Sequence, residues 1–556
     1  MMPALRTPHS AFCFPPPTSR LPRMLDGAAR LRESRSTVEL AETRRELPHM
    51  KLIAALSLGL LLCLAAEVQA QASDTPAQIK QLIAKAKRGD ELSQFSLALT
   101  YAYGNGVPKD EAEATKWYRK AAEQNSRLAQ LELALCYANG KGVSKDAAEA
   151  VKWYRRAAEA GDSRAQCALG DCYANGMGVT KNEFEGGRWY SKAALKGNAE
   201  AQYKLGDYYA NGTAVKQSEF SAEYFYREAA KQGYLPALNK MGDCYRLGIG
   251  VMTDVYEAVS WYRTAAEQNY GPAQFNLGLC CANGIGMMRN VNEAVKWYRR
   301  AAENGHDAAQ NILGYCYENG IGVTKDEAEA VSWYRKAAEQ NFRVAQCNLG
   351  LCYEKGTGVT KDEAEAVKWY RKAAESGEIE AQFRLGLCYA TGSGVTKDAA
   401  EACKWFRKAA EQNHSQAQSL LGACYVDGKG VPKDAVEAVK WFRKAAEQNV
   451  GAAQFGLATC YADGSGVPKD EVEAVKWYRK AAEQNYGQAQ NNLGACYADG
   501  TGAPKDLVEA YKWMNLAAAQ GTEESKKNRD ALEKKMSPDQ IAEGQRLCRE
   551  FRPKRP

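Results

Sequence analysis

The stretch Arg127–Asp162 reads RLAQLELALCYANGKGVSKDAAEAVKWYRRAAEAGD. Its first half sets Ala129, Leu133, Cys136 and Tyr137 at spacings of three and four, one face of an α-helix. Gly140 ends that helix, because glycine takes the left-handed C′ conformation at little cost, and Gly142 keeps the loop tight. Asp146 is placed to cap a second helix, and Glu149, three residues on, completes the spacing of a capping box. The second helix turns Ala150, Trp153, Tyr154, Ala157 and Ala158 inward and Lys152, Arg155, Arg156 and Glu159 outward. Gly161-Asp162 then turns the chain into the next unit.

That unit recurs. All 11 tryptophans stand on a 36-residue ruler, from Trp117 and Trp153 to Trp513, with Phe225 filling the one gap between Trp189 and Trp261. The Asp-x-x-Glu start returns at Asp110/Glu113, Asp326/Glu329, Asp362/Glu365 and Asp470/Glu473, with Asn182/Glu185 and Asn290/Glu293 as variants. No single hairpin of this kind buries its apolar face. Stacked copies do, in a one-dimensional solenoid. The small alanines let the two helices approach while Trp and Tyr fill the space between neighbours. The expected fold is therefore all-α: an α/α superhelical solenoid of about twelve 36-residue helix-turn-helix repeats over residues 91–522, with capping helices. Residues 75–90, opened by Thr75 and Pro76, supply the N-terminal cap. Residues 523–556 supply the C-terminal capping helices and a basic tail, with Ser537-Pro538-Asp539-Gln540 starting a final helix that carries Ile541, Leu547 and Phe551.

The segment from Ala364 to Gln382, with its continuation to Asp398, carries the pattern AEAVKWYRKAAEx followed by AQxxLGxCYxxGxGVxKD. This pattern resembles Sel1-like repeats, relatives of tetratricopeptide repeats, and KKMSPDQIAEGQRL resembles the terminal segment of exported bacterial members. The resemblance implies an α/α superhelix that works as an adaptor: it assembles signalling or envelope complexes, or meets host proteins.

Ahead of the repeats, Met50-Lys51 precedes an apolar run from Leu52 to Ala66, and small residues around Ala70 and Ala72 follow. Residues 50–72 have the layout of a secretory signal peptide, and the run falls short of the ~20 residues of a comfortable membrane span. Export to the periplasm or the extracellular space is the expectation, with no stable membrane span after cleavage. Residues 1–49, rich in Arg and Pro, are read as disordered, upstream of a true start at Met50. The net charge of +7 over 556 residues is small, so nucleic acid is not an expected partner.

Cysteine is abundant. Ten of the 17 fall on the ruler, at Cys136, Cys172, Cys244, Cys280, Cys316, Cys352, Cys388, Cys424, Cys460 and Cys496. Equivalent residues on stacked helices lie on the order of 10 Å apart, beyond the ~7 Å that a disulfide spans. They read as small buried hydrophobes. Cysteine-rich members of the resembled family pair cysteines eight residues apart; here those places hold residues such as Ala158 and Gln166. Cys167, Cys347 and Cys403 stand off the ruler and are read first as small buried hydrophobes too, with a cross-link between adjacent elements as the lesser alternative.

Catalytic signals are sparse, and the chain is read as a non-enzyme without cofactor or metal. Of four histidines, His306 and His414 fall in repeat turns with no partner in view. No serine has lysine three residues on, and Lys-Thr-Gly is absent. The Gly-x-Gly loops follow helices rather than strands, unlike phosphate cradles, and the loop lysines 109, 145, 325 and 361 read as a solvated face.

Binding residues are sought where copies differ. On a helical wheel centred on Leu133, Leu131 and Leu135 point about 160° away from the core. In tetratricopeptide-like folds that side lines the concave groove, as the resemblance implies. Its equivalents begin apolar (Phe95, Leu99, Leu131, Leu135). They pass through an acidic band (Asp171, Asp207, Asp243, with Tyr203 among them) and turn apolar again (Phe275, Leu279, Tyr315, Leu351, Phe383, Leu387, then Phe455). A row of solvent-facing aromatics marks an interaction surface, and the alternative is that these side chains fill gaps between first helices. The expected function is an exported scaffold binding proteins, envelope or host, along this groove. The alternative is a cell-wall (peptidoglycan) associated protein with glycan binding or weak β-lactamase-like hydrolysis, though no carboxylate pair stands out from the caps.

Overall fold

The computed structural model describes residues 76–521 and 523–554. The segment 50–72, the residues before it and Thr75 lie outside the described residues. Among those described there are 27 helices and no strand.

In the unit read above, the first helix spans Arg127–Asn139 and the second Ala147–Glu159, each of 13 residues. The same pair of lengths recurs from Glu91–Tyr103 and Glu111–Glu123 to Gly487–Asp499 and Leu507–Ala519. Each first helix packs on its own second helix and on the second helix of the preceding unit. The expected all-α solenoid is the observed fold.

Gly140 ends the first helix at φ 73°. The second glycine of the loop has another task. A Cβ on Gly142 would stand 1.9 Å from the Glu111 carbonyl oxygen of the preceding unit's second helix. The Gly-x-Gly loop is therefore a point of contact between units. Ala214 is the one alanine at this position, and it is forced to φ 56°.

Asp146 caps the second helix as expected, accepting the Glu149 amide at 2.9 Å. The reciprocal half of the box is not made. The Asp146 amide already donates to the Tyr137 carbonyl at 2.9 Å, closing the loop. The Glu149 carboxylate turns outward instead, to Lys152 at 2.7 Å and Trp153 Nε1 at 3.1 Å. Among the described helix caps, a full capping box forms only at the last helix, between Ser537 and Gln540.

The outer ring face of several tryptophans is covered by a cation three residues on: Lys120 Nζ lies 3.9 Å from the Trp117 ring centre and Lys336 Nζ 3.7 Å from that of Trp333. Inward, Trp333 shares a core with Cys316 of its own unit and with Val295 and Tyr298 of the preceding one.

A buried polar seam runs through this alanine-rich interior. Gln274 Nε2 donates to the Ala266 carbonyl at 3.1 Å, and its Oε1 accepts from Asn304 Nδ2 at 2.8 Å. The same bonds recur at Gln310, Gln382, Gln418, Gln454 and Gln490. The leading helix Pro76–Lys87 joins the seam, with Ala86 accepting from Gln94 at 3.1 Å. At the other end, Pro538–Glu550 folds back so that Phe551 meets Trp513 edge-on at 5.5 Å, and Lys554 reaches the Glu483 carboxylate at 2.7 Å.

Candidate protein-binding face

First helices of successive units touch one another. The fifth residue of one faces the sixth of the next: Asn239 accepts from Asn276 at 2.9 Å, Asn311 from Asn348 at 2.9 Å and Asn491 from Asn528 at 3.0 Å. Phe95, Leu131, Tyr203, Phe275, Phe383 and Phe455 occupy this same fifth position.

That contact corrects part of the wheel. Leu131 and Phe383 are buried, not solvent-facing. A wheel treats one helix alone, whereas here the neighbouring first helix covers the flank. Phe383 stacks on His414 at 4.5 Å, and Phe275 on His306 at 4.8 Å. Tyr203 packs between Tyr226 and Tyr234, Phe455 between Tyr478 and Tyr486, and Phe95 against Tyr118. Phe95, Tyr203, Phe275 and Phe455 stay half-buried.

The ninth position is more open. Leu135 is exposed, and Leu99, Leu279, Tyr315, Leu351 and Leu387 are half-buried. The acidic band sits here too, but each carboxylate has a partner on its own second helix. Asp171 accepts from the Tyr190 hydroxyl at 2.6 Å, Asp207 from Tyr226 at 2.7 Å and Asp243 from Tyr262 at 2.7 Å. Burial pushes the Asp207 carboxyl up despite that bond.

Both repeat-turn histidines have partners. Each caps a first helix through Nδ1, His306 from the Ala309 amide and His414 from the Ala417 amide, both at 3.1 Å. His414 Nε2 also lies 3.3 Å from Glu380, which Arg384 pairs at 2.7 Å. Burial raises the Glu380 carboxyl, but His414 and Arg384 outweigh it and hold the group below the usual range. Several loop lysines pair with a glutamate two residues on, as in Lys325–Glu327 and Lys361–Glu363 at 2.7 Å, exposed contacts of little energetic weight.

Among the described residues, Cys167, Asp171 and Glu200 are the one trio close enough to hold a metal ion. Lys204 already occupies its centre, 2.7 Å from Asp171 and 2.6 Å from Glu200, so an internal cation neutralises these carboxylates. Every described cysteine is a free thiol, and eight of the ten on the ruler are buried.

Sequence reasoning passed over a second strip. Phe184, Phe220 and Tyr256, the second residues of three successive second helices, are 61%, 74% and 75% exposed. Met252 and Met288 stand open in loops of the same region. The signal was present in the chain: the equivalent positions of other repeats hold no aromatic residue, only alanine as at Ala112 and Ala328, Asn292, or valine as at Val436 and Val472.

The profile of the Sel1 repeat matches twelve consecutive segments, 92–126, 127–162, 163–198, 199–234, 235–270, 271–306, 307–342, 343–378, 379–414, 415–450, 451–486 and 487–522. The chain belongs to the Sel1 repeat family. Among solved structures it is similar to c5321, a protective antigen present in uropathogenic Escherichia coli strains displaying an SLR fold. Identity to that protein is 38% over 79% of this chain and 94% of that one, with a TM-score of 0.61. It is also similar to a Sel1 repeat protein from Oxalobacter formigenes, at 33% identity over 57% of this chain and 92% of that one, with a TM-score of 0.46. Comparison with curated proteins gave no match. No described helix of this Sel1 repeat protein is long and apolar enough to cross a membrane.

Proposed function

We propose that this Sel1 repeat protein is an exported scaffold that holds partner proteins along the concave face formed by its first helices. The observation that carries the reading is the ninth-position row. Leu99, Leu135, Leu279, Leu351 and Leu387 leave apolar surface partly open, at a site where Asp171, Asp207 and Asp243 are equally accommodated. Packing does not require leucine there. Open apolar runs on either side of an acidic band, which the fold does not demand, suit recognition of another protein. Contacts between successive first helices support placing them on the inner side of the curve. Export rests on the leader-like segment 50–72, and the description of c5321 as a protective antigen fits the same compartment.

The test is a cross-linked pull-down from the native host with wild type and a triple variant, Leu135→Asp, Leu279→Asp and Leu351→Asp. Each new carboxylate stands where other repeats carry one opposite a second-helix tyrosine, so the variant keeps its fold. Partners captured by wild type and lost by the variant support the reading. Identical catches refute it. The exposed Phe184, Phe220 and Tyr256 favour a second contact strip for the same class of partner, and their alanine variants report on it separately.

A further inference from the structure

Each second helix packs on the next first helix, and at two boundaries the fifth residue of the former meets the tenth residue of the latter, the ruler cysteine: Thr115 meets Cys136, and Cys403 meets Cys424. At most boundaries the fifth residue is aliphatic: Val151, Val259, Val295, Val331, Val367, Val439 and Val475. Only between the repeats 379–414 and 415–450 does sulfur stand at both places, as Cys403 and Cys424. A hydroxyl marks the same register elsewhere. Thr115 Oγ1 donates to the Lys141 carbonyl at 3.1 Å and hydrogen-bonds to Cys136. Cys403 makes the matching pair of contacts: its Sγ donates to the Lys429 carbonyl at 3.1 Å, and its thiol is hydrogen-bonded to that of Cys424. Cys403 is buried, while Cys424 is one of the few ruler cysteines left half-open.

We propose that Cys403 and Cys424 are a redox site, forming a reversible disulfide that staples these two repeats. The oxidant is a low-molecular-weight disulfide, RSSR. The pair gives up its first proton; the proton left between the two sulfurs passes to Cys403, and the half-open Cys424 thiolate attacks one sulfur of RSSR; the S–S bond breaks and RS⁻ leaves. The Cys403 thiolate then attacks the Cys424 sulfur of the mixed disulfide, forming the Cys403–Cys424 bond and expelling the second RS⁻. The two thiol protons end on the two departing thiolates, so RSSR is reduced to two RSH and the cysteine pair is oxidised by two electrons.

The rest of the ruler is poorly suited to this chemistry. Burial pushes Cys352 and Cys388 up to about 12, and a thiol so held is a poor nucleophile. The Cys403–Cys424 pair differs, because the contact between its two sulfurs splits their titration: the pair releases its first proton below the ordinary thiol range, leaving one thiolate for the two sulfurs, and holds the second well above it. Cys460 faces Val439 and has no such sulfur. Closing the bond fixes the helix Ala399–Glu411 against Ser415–Asp427, where any partner bending the array would have to work against it.

The test uses the purified full chain, incubated with oxidised glutathione, alkylated without reduction, digested and mapped by mass spectrometry. Wild type is expected to lose two free thiols, to yield a Cys403–Cys424 cross-linked peptide, and to regain both thiols with dithiothreitol. The variant Cys403→Val, which installs the residue of the neighbouring repeats and so folds, is expected to retain glutathione on Cys424. Glutathione retained on Cys424 of wild type, a different cysteine pairing, or two thiols left unreacted would each overturn the proposal.

Discussion

Gln448 Nε2 lies 2.7 Å from Gln418 Oε1, and Gln418 Nε2 in turn donates to the Ala410 carbonyl at 3.0 Å. One buried side chain thus ties the end of its own repeat to the last turn of the repeat before. The interior is rich in small alanines, so these bonds help to fix the angle at which repeats stack. The seam also explains its own gaps. Gln130, Gln166 and Gln346 leave Oε1 buried without a partner. The residues 30 positions on are Ala160, Lys196 and Ser376 rather than Gln or Asn.

Filling those gaps should stabilise the array. Ala160→Gln and Ser376→Gln each supply the missing donor, and each is expected to add about 1 kcal/mol, the usual net worth of such a bond. Urea titration followed by circular dichroism reads this as a higher midpoint. An unchanged or lower midpoint in both variants would remove the seam from the account of stability.

The loop glycines make a paired prediction. Gly142→Ala drives a methyl group into the Glu111 carbonyl and is expected to cost at least ~2 kcal/mol, the scale of left-handed strain plus a clash. Ala214→Gly should act the other way, relieving φ 56° for a gain of about 1 kcal/mol. Thermal melts of both variants beside wild type check the two signs together.

His306 predicts a pH dependence. Burial lowers its pKa below the ordinary histidine value of 6.5, so below that pH the unfolded chain binds a proton more readily than the folded one. Stability should fall as pH drops through 6.5 toward the folded-state value, and be indifferent to this group above it. His306→Asn keeps the cap, as Asn198 does at the same position by accepting the Ala201 amide at 2.8 Å. Melting temperatures of wild type and variant between pH 7 and 5 should therefore diverge, with the variant losing less. Parallel curves would show that His306 does not titrate against folding.

The fold was legible because its period is written in residues with little freedom. Trp153 and its equivalents mark each second helix, and paired glycines such as Gly140 and Gly142 mark every loop but the one that carries Ala214. What escaped depends on neighbours that one repeat does not display. Leu131 and Phe383 look outward on a wheel but are covered by the adjacent first helix. Glu149 fits a capping box by spacing, yet the Asp146 amide it would bind is already committed to Tyr137. His306 and His414 gave no sign of capping, since histidine is an uncommon choice there. Phe184, Phe220 and Tyr256 were visible as departures from the repeat, but only a comparison restricted to the second helix would have raised them.

The central claim is that partners lie against the first helices. Hydrogen–deuterium exchange of the full chain, alone and with a partner recovered from the pull-down, tests it most directly. The account predicts slowed exchange in Gly271–Asn283, Asp307–Asn319 and Arg343–Lys355, with the outer second helices little changed. Protection confined to second helices and loops, with those three first helices unaffected, would contradict it.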